Sequence, residues 1–249
     1  MDFLTEDLTG RIGRGCNYIL SNRQYRDLTS SITAEMQIAF DFVRMAMWVL
    51  PERIVDLNPR AFDLTLLWTD AMYEPPKPLG MGAVLYSPLL PTMIGCYMAM
   101  PLSLLEQLVP KKQQISQGEA TACVLGLAST PELFQDVDLL HFVDNTAALA
   151  AIITGSSGKR DVAPLACAYQ LLLAQRGSRL WAEYVESDAN IADGPSRDGD
   201  SWFASEEASA LNIRQVEARL PAFEVLASSS FELLFEIFAN FLPSRRKHT

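Results

Sequence analysis

Cysteine is scarce and scattered in this sequence. The four cysteines, Cys16, Cys96, Cys123 and Cys167, lie far apart and form no C-x-x-C pair. Neither a zinc site nor a small disulfide framework fits that spacing, so a reducing intracellular compartment (cytoplasm or nucleus) is expected. Positive charge is in deficit as well. The 20 Lys+Arg face 30 Asp+Glu, for a net charge of −10. A generic polyanion binder carries the opposite balance, so contact with nucleic acid would need a local basic patch or bound cations. The amino terminus, MDFLTEDLTG, is acidic and lacks the apolar stretch of a secretory signal, so secretion is not expected. With 49% hydrophobic and only 20% charged residues, disordered and low-complexity classes are excluded. A length of 249 residues suits one or two domains with a sizeable core.

Residues 79–105 contain no charge and are long enough to span a bilayer. However, Pro88, Pro91 and Pro101, with Gly80, Gly82 and Gly95, punctuate the run too densely for a helix. It reads instead as two buried strands, GMGAVLYSP and TMIGCYMAM, joined by a Pro-rich turn, and no membrane partner is expected.

Residues 1–60 read as helical: Met36, Ala39, Phe40, Val43 and Met47 recur at helical spacing before Pro51. LTLLWTDAMY then joins the two strands above in an antiparallel meander. A helix over 115–128 follows, begun by Ser116, then the strand DLLHFVDN and the helix TAALAAIITG. A helix over 161–175 and a last strand, RLWAEYVES, lead to the loop NIADGPSRDGD. Helical segments over about 202–218 and 222–242 close the chain before the basic tail SRRKHT. The second contains FELLFEIFANFL, an apolar stripe suited to docking on this protein or a partner. The expected division is a helical segment 1–60, an α/β domain 61–201 with a mixed sheet, and a C-terminal helical extension 202–249.

Four carboxylates fall at junctions of this layout, and each has an ordinary explanation. Glu119, three residues after Ser116, fits a capping box. Asp144, or Asn145 beside it, fits a helix cap. Asp193 before Gly194 and Pro195 fits a turn. Asp70 is harder to dismiss, because its strand is otherwise apolar (Leu64, Leu66, Leu67, Trp68) and an ionised carboxylate there needs a partner. The set carries more weight than its members. With strands ordered 3-2-1-4-5, Asp70 and Asp144 stand side by side at the centre, the first helix aims Glu119 at them, and the loop after the fifth strand brings Asp193. Such a group repels itself unless cations intervene. Mg²⁺, a hard cation with oxygen ligands, is the natural occupant. Two such ions about 3.5–4 Å apart suit phosphodiester displacement.

In order, LLWTDA, ISQGEATA, LLHFVDNTAALAAIITGSS and ANIADGPSR resemble the ribonuclease H domain of retroelement reverse transcriptases, above all the gypsy-type and DIRS-type retrotransposon polyproteins. The resemblance covers about residues 62–200, and residues 1–60 resemble, more loosely, the helical connection preceding that domain. It implies the RNase H-like five-stranded mixed sheet and hydrolysis of the RNA strand of RNA–DNA hybrids with two Mg²⁺ ions, Mn²⁺ substituting. It also implies an attached or associated reverse transcriptase polymerase domain. Carried onto this chain, Asp70 bridges the two metals, Glu119 and Asp144 complete the cluster, and Asp193 holds the metal nearer the attacking water. Asn145, Ser196 and Arg197 become candidates for substrate contact, with Ser196 and Arg197 alternatively steadying the segment that bears Asp193. Basic residues expected near the site are Lys111, Lys112, Lys159, Arg160, Arg176, Arg179 and Arg197. Many cellular relatives carry a histidine in a loop before the last acidic residue; here His141 lies in the fourth strand, on the face opposite Asp144, and is expected to be packed. The alternative function is a noncatalytic RNase H-like scaffold module in a nucleoprotein assembly. A transposase or integrase core is disfavoured by the expected placement of Asp193 in a Gly-Pro loop.

Overall fold

The computed structural model describes residues 63–221, apart from positions 107, 111–113 and 160, together with residues 37, 40, 41 and 44. Those four are helical, inside the helix expected over residues 33–50; the rest of 1–60 and the segment 222–242 lie outside the described residues. Among the described residues no helix is long and apolar enough to cross a membrane, and the charge-free run forms strands.

β1 (Leu64–Met72), β2 (Gly80–Tyr86) and β3 (Met93–Ala99) make the antiparallel meander. β4 (Asp138–Val143) lies parallel to β1 on its other side, and β5 (Arg179–Tyr184) lies parallel to β4. These five strands stand in the order 3-2-1-4-5 expected from the sequence, with helices packed against them. Two helices, α3 (Thr146–Thr154) and α4 (Val162–Arg176), cross from β4 to β5. Gly155 and Gly177, at φ 69° and 68°, end them in the left-handed conformation that a side chain disfavours. A short α1 (Leu102–Leu105) precedes α2 (Ile115–Ser129).

α2 lies between the sheet and the pair α3–α4, and every residue from Gln117 to Ser129 is buried. A helix covered on all sides needs no single apolar stripe, which is why its pattern is even. Leu67, Leu125, Leu139, Leu165 and Tyr169 are all less than 2% exposed in this core, each such leucine contributing about 2 kcal/mol.

The structure corrects the helical segment expected over about 202–218. Residues 202–218 are not one helix: a 3₁₀ turn (Gly199–Ala204), a short helix α6 (Glu206–Ala210) and a sixth strand β6 (Ile213–Gln215) replace it. β6 pairs in parallel with β3, so the sheet has six strands rather than five. The cause is burial: Trp202, Ala208 and Ile213 pack on Val84 at the second face of the sheet. Asn212, at φ 52°, turns the chain out of helix into that strand. The apolar spacing that mimics a helix here serves a wrap around the sheet edge.

β2 is covered on both faces, by α2 on one and by α5 (Asp193–Asp198) on the other. Gly82 makes the second contact close. It pairs with Asp70 across β1–β2, and a Cβ there would lie 2.7 Å from both Ala192 O and Ser196 N. With no side chain at 82, the backbone of α5 sits directly beside Asp70. Gly82→Ala should therefore push α5 off the sheet and cost about 1–3 kcal/mol. Gly158→Ala, where nothing lies within 4 Å, is the control expected to leave the melting temperature unchanged; equal melting temperatures for the two variants would refute the close approach.

Candidate metal centre

The register of the sheet builds the site. Thr69 pairs with Val143 across β1–β4, so the next residues, Asp70 and Asp144, stand together where that pairing ends, β1 running on to Met72 against β2. α2 delivers Glu119 from the side. Asp70, Glu119 and Asp144 each present an oxygen within 4.8 Å of the others. Asp70 is 4% exposed and Glu119 3%.

Each carboxylate is held by one oxygen. The Ser196 hydroxyl donates to Asp70 Oδ2. Ser187 Oγ donates to Asp144 Oδ2 at 2.8 Å, and the Ala71 amide donates to Glu119. The second oxygens of the last two, Glu119 Oε2 and Asp144 Oδ1, are buried and have no hydrogen-bond partner. A buried, unpaired carboxylate oxygen is costly unless something outside the chain satisfies it. Hard oxygen donors converging with free lone pairs fit a Mg²⁺-type cation.

The ordinary explanations of these residues give way one by one. The N-cap of α2 is Gln114, not Ser116, so Ser116 and Glu119 form no capping box; Glu119 turns to the Ala71 amide and the cluster instead. Asn145 caps α3, its Oδ1 accepting from the amides of Ala147 (3.1 Å) and Ala148 (3.0 Å), which leaves Asp144 free. Asp193 is the first residue of α5 rather than part of a loop, because Asn190 and Ala192 already turn the chain into the helix. Its carboxylate stands beside the cluster, and Arg197 Nε donates to both its oxygens at 2.6 and 2.7 Å. Ser196 is 1% exposed and directed at Asp70. Arg197 is half exposed and also reaches Glu74 at 3.6 Å.

Of the other basic residues, Arg176 and Arg179 are not near the site. Arg179 pairs with Asp138 at 2.6 Å, where β4 and β5 begin and Asp144 is farthest. Lys111, Lys112 and Arg160 lie outside the described residues.

Sequence reasoning missed two supports. Asn190 is buried and donates from Nδ2 to the Thr69 carbonyl at 3.0 Å, tying the segment before α5 to the residue preceding Asp70. Ser187 was missed because a serine in a loop carries no signal of its own. His141 is fully buried, with Nε2 2.9 Å from Thr69 Oγ1 and Nδ1 2.7 Å from the Tyr169 hydroxyl. Burial pushes its pKa down to about 3, so it is a neutral bridge between β1, β4 and α4 behind the site.

No family model matches the chain, and no curated protein matches it. Solved structures do. The chain is similar to the N-terminal RNase H domain of a Mycobacterium tuberculosis protein, at 18% identity and TM-score 0.44, over 59% of this chain and 99% of that one. It is similar to RNase H1 of the halophilic archaeon Halobacterium salinarum, at 17% identity and TM-score 0.41, over 54% of this chain and 98% of that one. A foamy viral protease-reverse transcriptase solved with an RNA/DNA hybrid matches at 10% identity and TM-score 0.36, over 74% of this chain and 28% of that one.

Burial, opposed by the Ser196 hydrogen bond and reinforced by Asp144 and Asp193, raises the Asp70 pKa from 3.8 to about 6. Burial and the neighbouring Asp70 raise Glu119 well above its usual range. The folded protein thus keeps a proton on Asp70 that the unfolded chain has released, so stability is lost as pH rises through that interval. His141 contributes the opposite slope, since its folded pKa is depressed, and cancels in a comparison of variants. Without divalent cations, the stability of Asp70→Asn relative to wild type should rise by about 3 kcal/mol between about pH 4 and pH 7, measured by urea unfolding. A difference independent of pH would mean that Asp70 is not buried against its neighbours.

Proposed function

We propose that this chain is a divalent-cation-dependent ribonuclease H that hydrolyses the RNA strand of RNA–DNA hybrids. The observation that carries the reading is the convergence of Asp70, Glu119 and Asp144 within 4.8 Å, with Glu119 Oε2 and Asp144 Oδ1 buried and unpartnered. Asp70, Glu119, Asp144 and Asp193 would hold two Mg²⁺ ions. When bound, these supply a water of lowered pKa as nucleophile and neutralise charge on the leaving oxygen. The chain's own residues orient the donors. Ser196 fixes one oxygen of Asp70, Ser187 one of Asp144 and the Ala71 amide one of Glu119, leaving Glu119 Oε2 and Asp144 Oδ1 without a protein partner. Asn190 and the gap at Gly82 keep α5 against β1, and so keep Asp193 beside the site. Hybrid specificity would come from contacts to 2′-hydroxyls across the wide minor groove.

The retroelement motifs of residues 62–200 support a source in a gypsy-type or DIRS-type reverse transcriptase, with a polymerase domain as partner and Asn145 or Arg197 meeting substrate. A scaffold module is the rival, and the unsatisfied carboxylate oxygens weigh against it, because a silent module gains nothing from them. The helical position of Asp193 removes one objection to a transposase-type core. Glu119 on α2, inside the three-carboxylate cluster, still favours the ribonuclease.

Labelled RNA–DNA hybrid should be cut with Mg²⁺ or Mn²⁺, while single-stranded RNA, duplex RNA and duplex DNA stay intact. Asp144→Asn should lower the rate by more than about 100-fold, beyond what loss of an outer-shell partner costs, with the fold unchanged by circular dichroism. Normal cutting by that variant would overturn the assignment. A folded wild-type protein that leaves the hybrid intact would favour the scaffold.

A further inference from the structure

Arg197 occupies an unusual place beside the acidic cluster. It is one residue after Ser196, which fixes Asp70, and one helical turn after Asp193, whose carboxylate it grips with Nε at 2.6 and 2.7 Å. Nη1 of the same guanidinium is 3.6 Å from Glu74 Oε1, in the loop after β1. Asp70 lies close enough to hold the Arg197 proton more tightly, after the larger effect of Asp193 itself. The side chain is half exposed. Asp193 differs from Asp70, Glu119 and Asp144 in one respect: its carboxylate already has a cation.

We infer that Arg197 is an internal counter-cation that competes with divalent metal for Asp193. This inference rests on the metal-dependent reading above. Held by Arg197, Asp193 is kept from the other three carboxylates, which form the cluster without it. A metal ion that uses Asp193 competes with the guanidinium for its oxygens, and Glu74 offers Arg197 a second anchor. An anionic phosphodiester beside the site draws Arg197 in the same direction, since a guanidinium binds phosphate in a forked geometry. Full assembly of the site is thereby coupled to substrate. Arg197 acts through Asp193 and is a positioning residue.

Mn²⁺ binding, read by isothermal titration calorimetry on the full chain without nucleic acid, tests this independently of cleavage. Arg197→Gln should bind Mn²⁺ about tenfold more tightly than wild type, within the usual range of coupling between adjacent groups. In an Asp193→Asn background the same substitution should change affinity by less than about twofold. Unchanged or weaker binding by Arg197→Gln would overturn the inference while leaving the metal site standing. Equal tightening in both backgrounds would also overturn it, because Arg197 would then act as a general charge. If wild type binds no Mn²⁺, the metal reading itself fails. Circular dichroism of each variant guards against misfolding, and Arg197→Lys, which keeps the charge but loses the guanidinium's grip, should bind Mn²⁺ with an affinity between those of wild type and Arg197→Gln.

Discussion

Three carboxylates meeting in a nearly dry junction set the terms for the rest of this structure. Two unit charges about 4 Å apart repel by about 4 kcal/mol at a protein-like dielectric, and burial adds to that cost. The chain answers with directed donors: Ser196 on Asp70, Ser187 on Asp144 and the Ala71 amide on Glu119. It leaves one oxygen each of Glu119 and Asp144 unanswered. A fold selected for stability alone would fill such a junction with apolar side chains, and the sheet around it shows that apolar material is abundant. The strain is local, and the second face of the sheet is organised around it. Gly82 opens a gap beside Asp70, α5 enters it, and Asn190 ties the entering segment to the Thr69 carbonyl.

Behind the site the chain uses a neutral polar bridge. Thr69, His141 and Tyr169 link β1, β4 and α4 through two hydrogen bonds in a fully buried setting. A histidine that stays uncharged costs little to bury and holds its neighbours at fixed spacing. Asp70 follows Thr69 directly, and Asp144 lies three residues after His141. The bridge thus helps to fix the spacing of β1 and β4 where they carry Asp70 and Asp144.

Much of this was legible in the sequence, because β1–β5 and α2–α4 announce themselves by local signals: apolar runs, Pro and Gly punctuation, and a cap at Asn145. The meeting of Asp70 with Asp144 followed from strand order, since parallel neighbours in register place the residues that follow Thr69 and Val143 side by side. Long-range contacts were not legible. Gln114 rather than Ser116 caps α2, whose first turn closes on the Gln114 carbonyl, and Glu119 bonds the Ala71 amide of another element. The stretch after residue 201 imitates a helix because Trp202, Ala208 and Ile213 must all face Val84. Asp193 reads as a turn former next to Gly194 and Pro195, yet it starts α5, since Pro near a helix start fits its first turn. Arg176 and Arg179 sit at the wrong end of the sheet, which only the direction of β5 reveals.

The acidic balance of the chain accords with the proposed reading, in which cations rather than a basic surface would meet a nucleic acid. Location of those cations is the most direct test. Crystals grown with Mn²⁺ and measured at its absorption edge should show an anomalous peak between Asp70, Glu119 and Asp144, within about 2.0–2.5 Å of Glu119 Oε2 or Asp144 Oδ1. A well-diffracting crystal with no peak there, or with Mn²⁺ bound only elsewhere, would contradict the account.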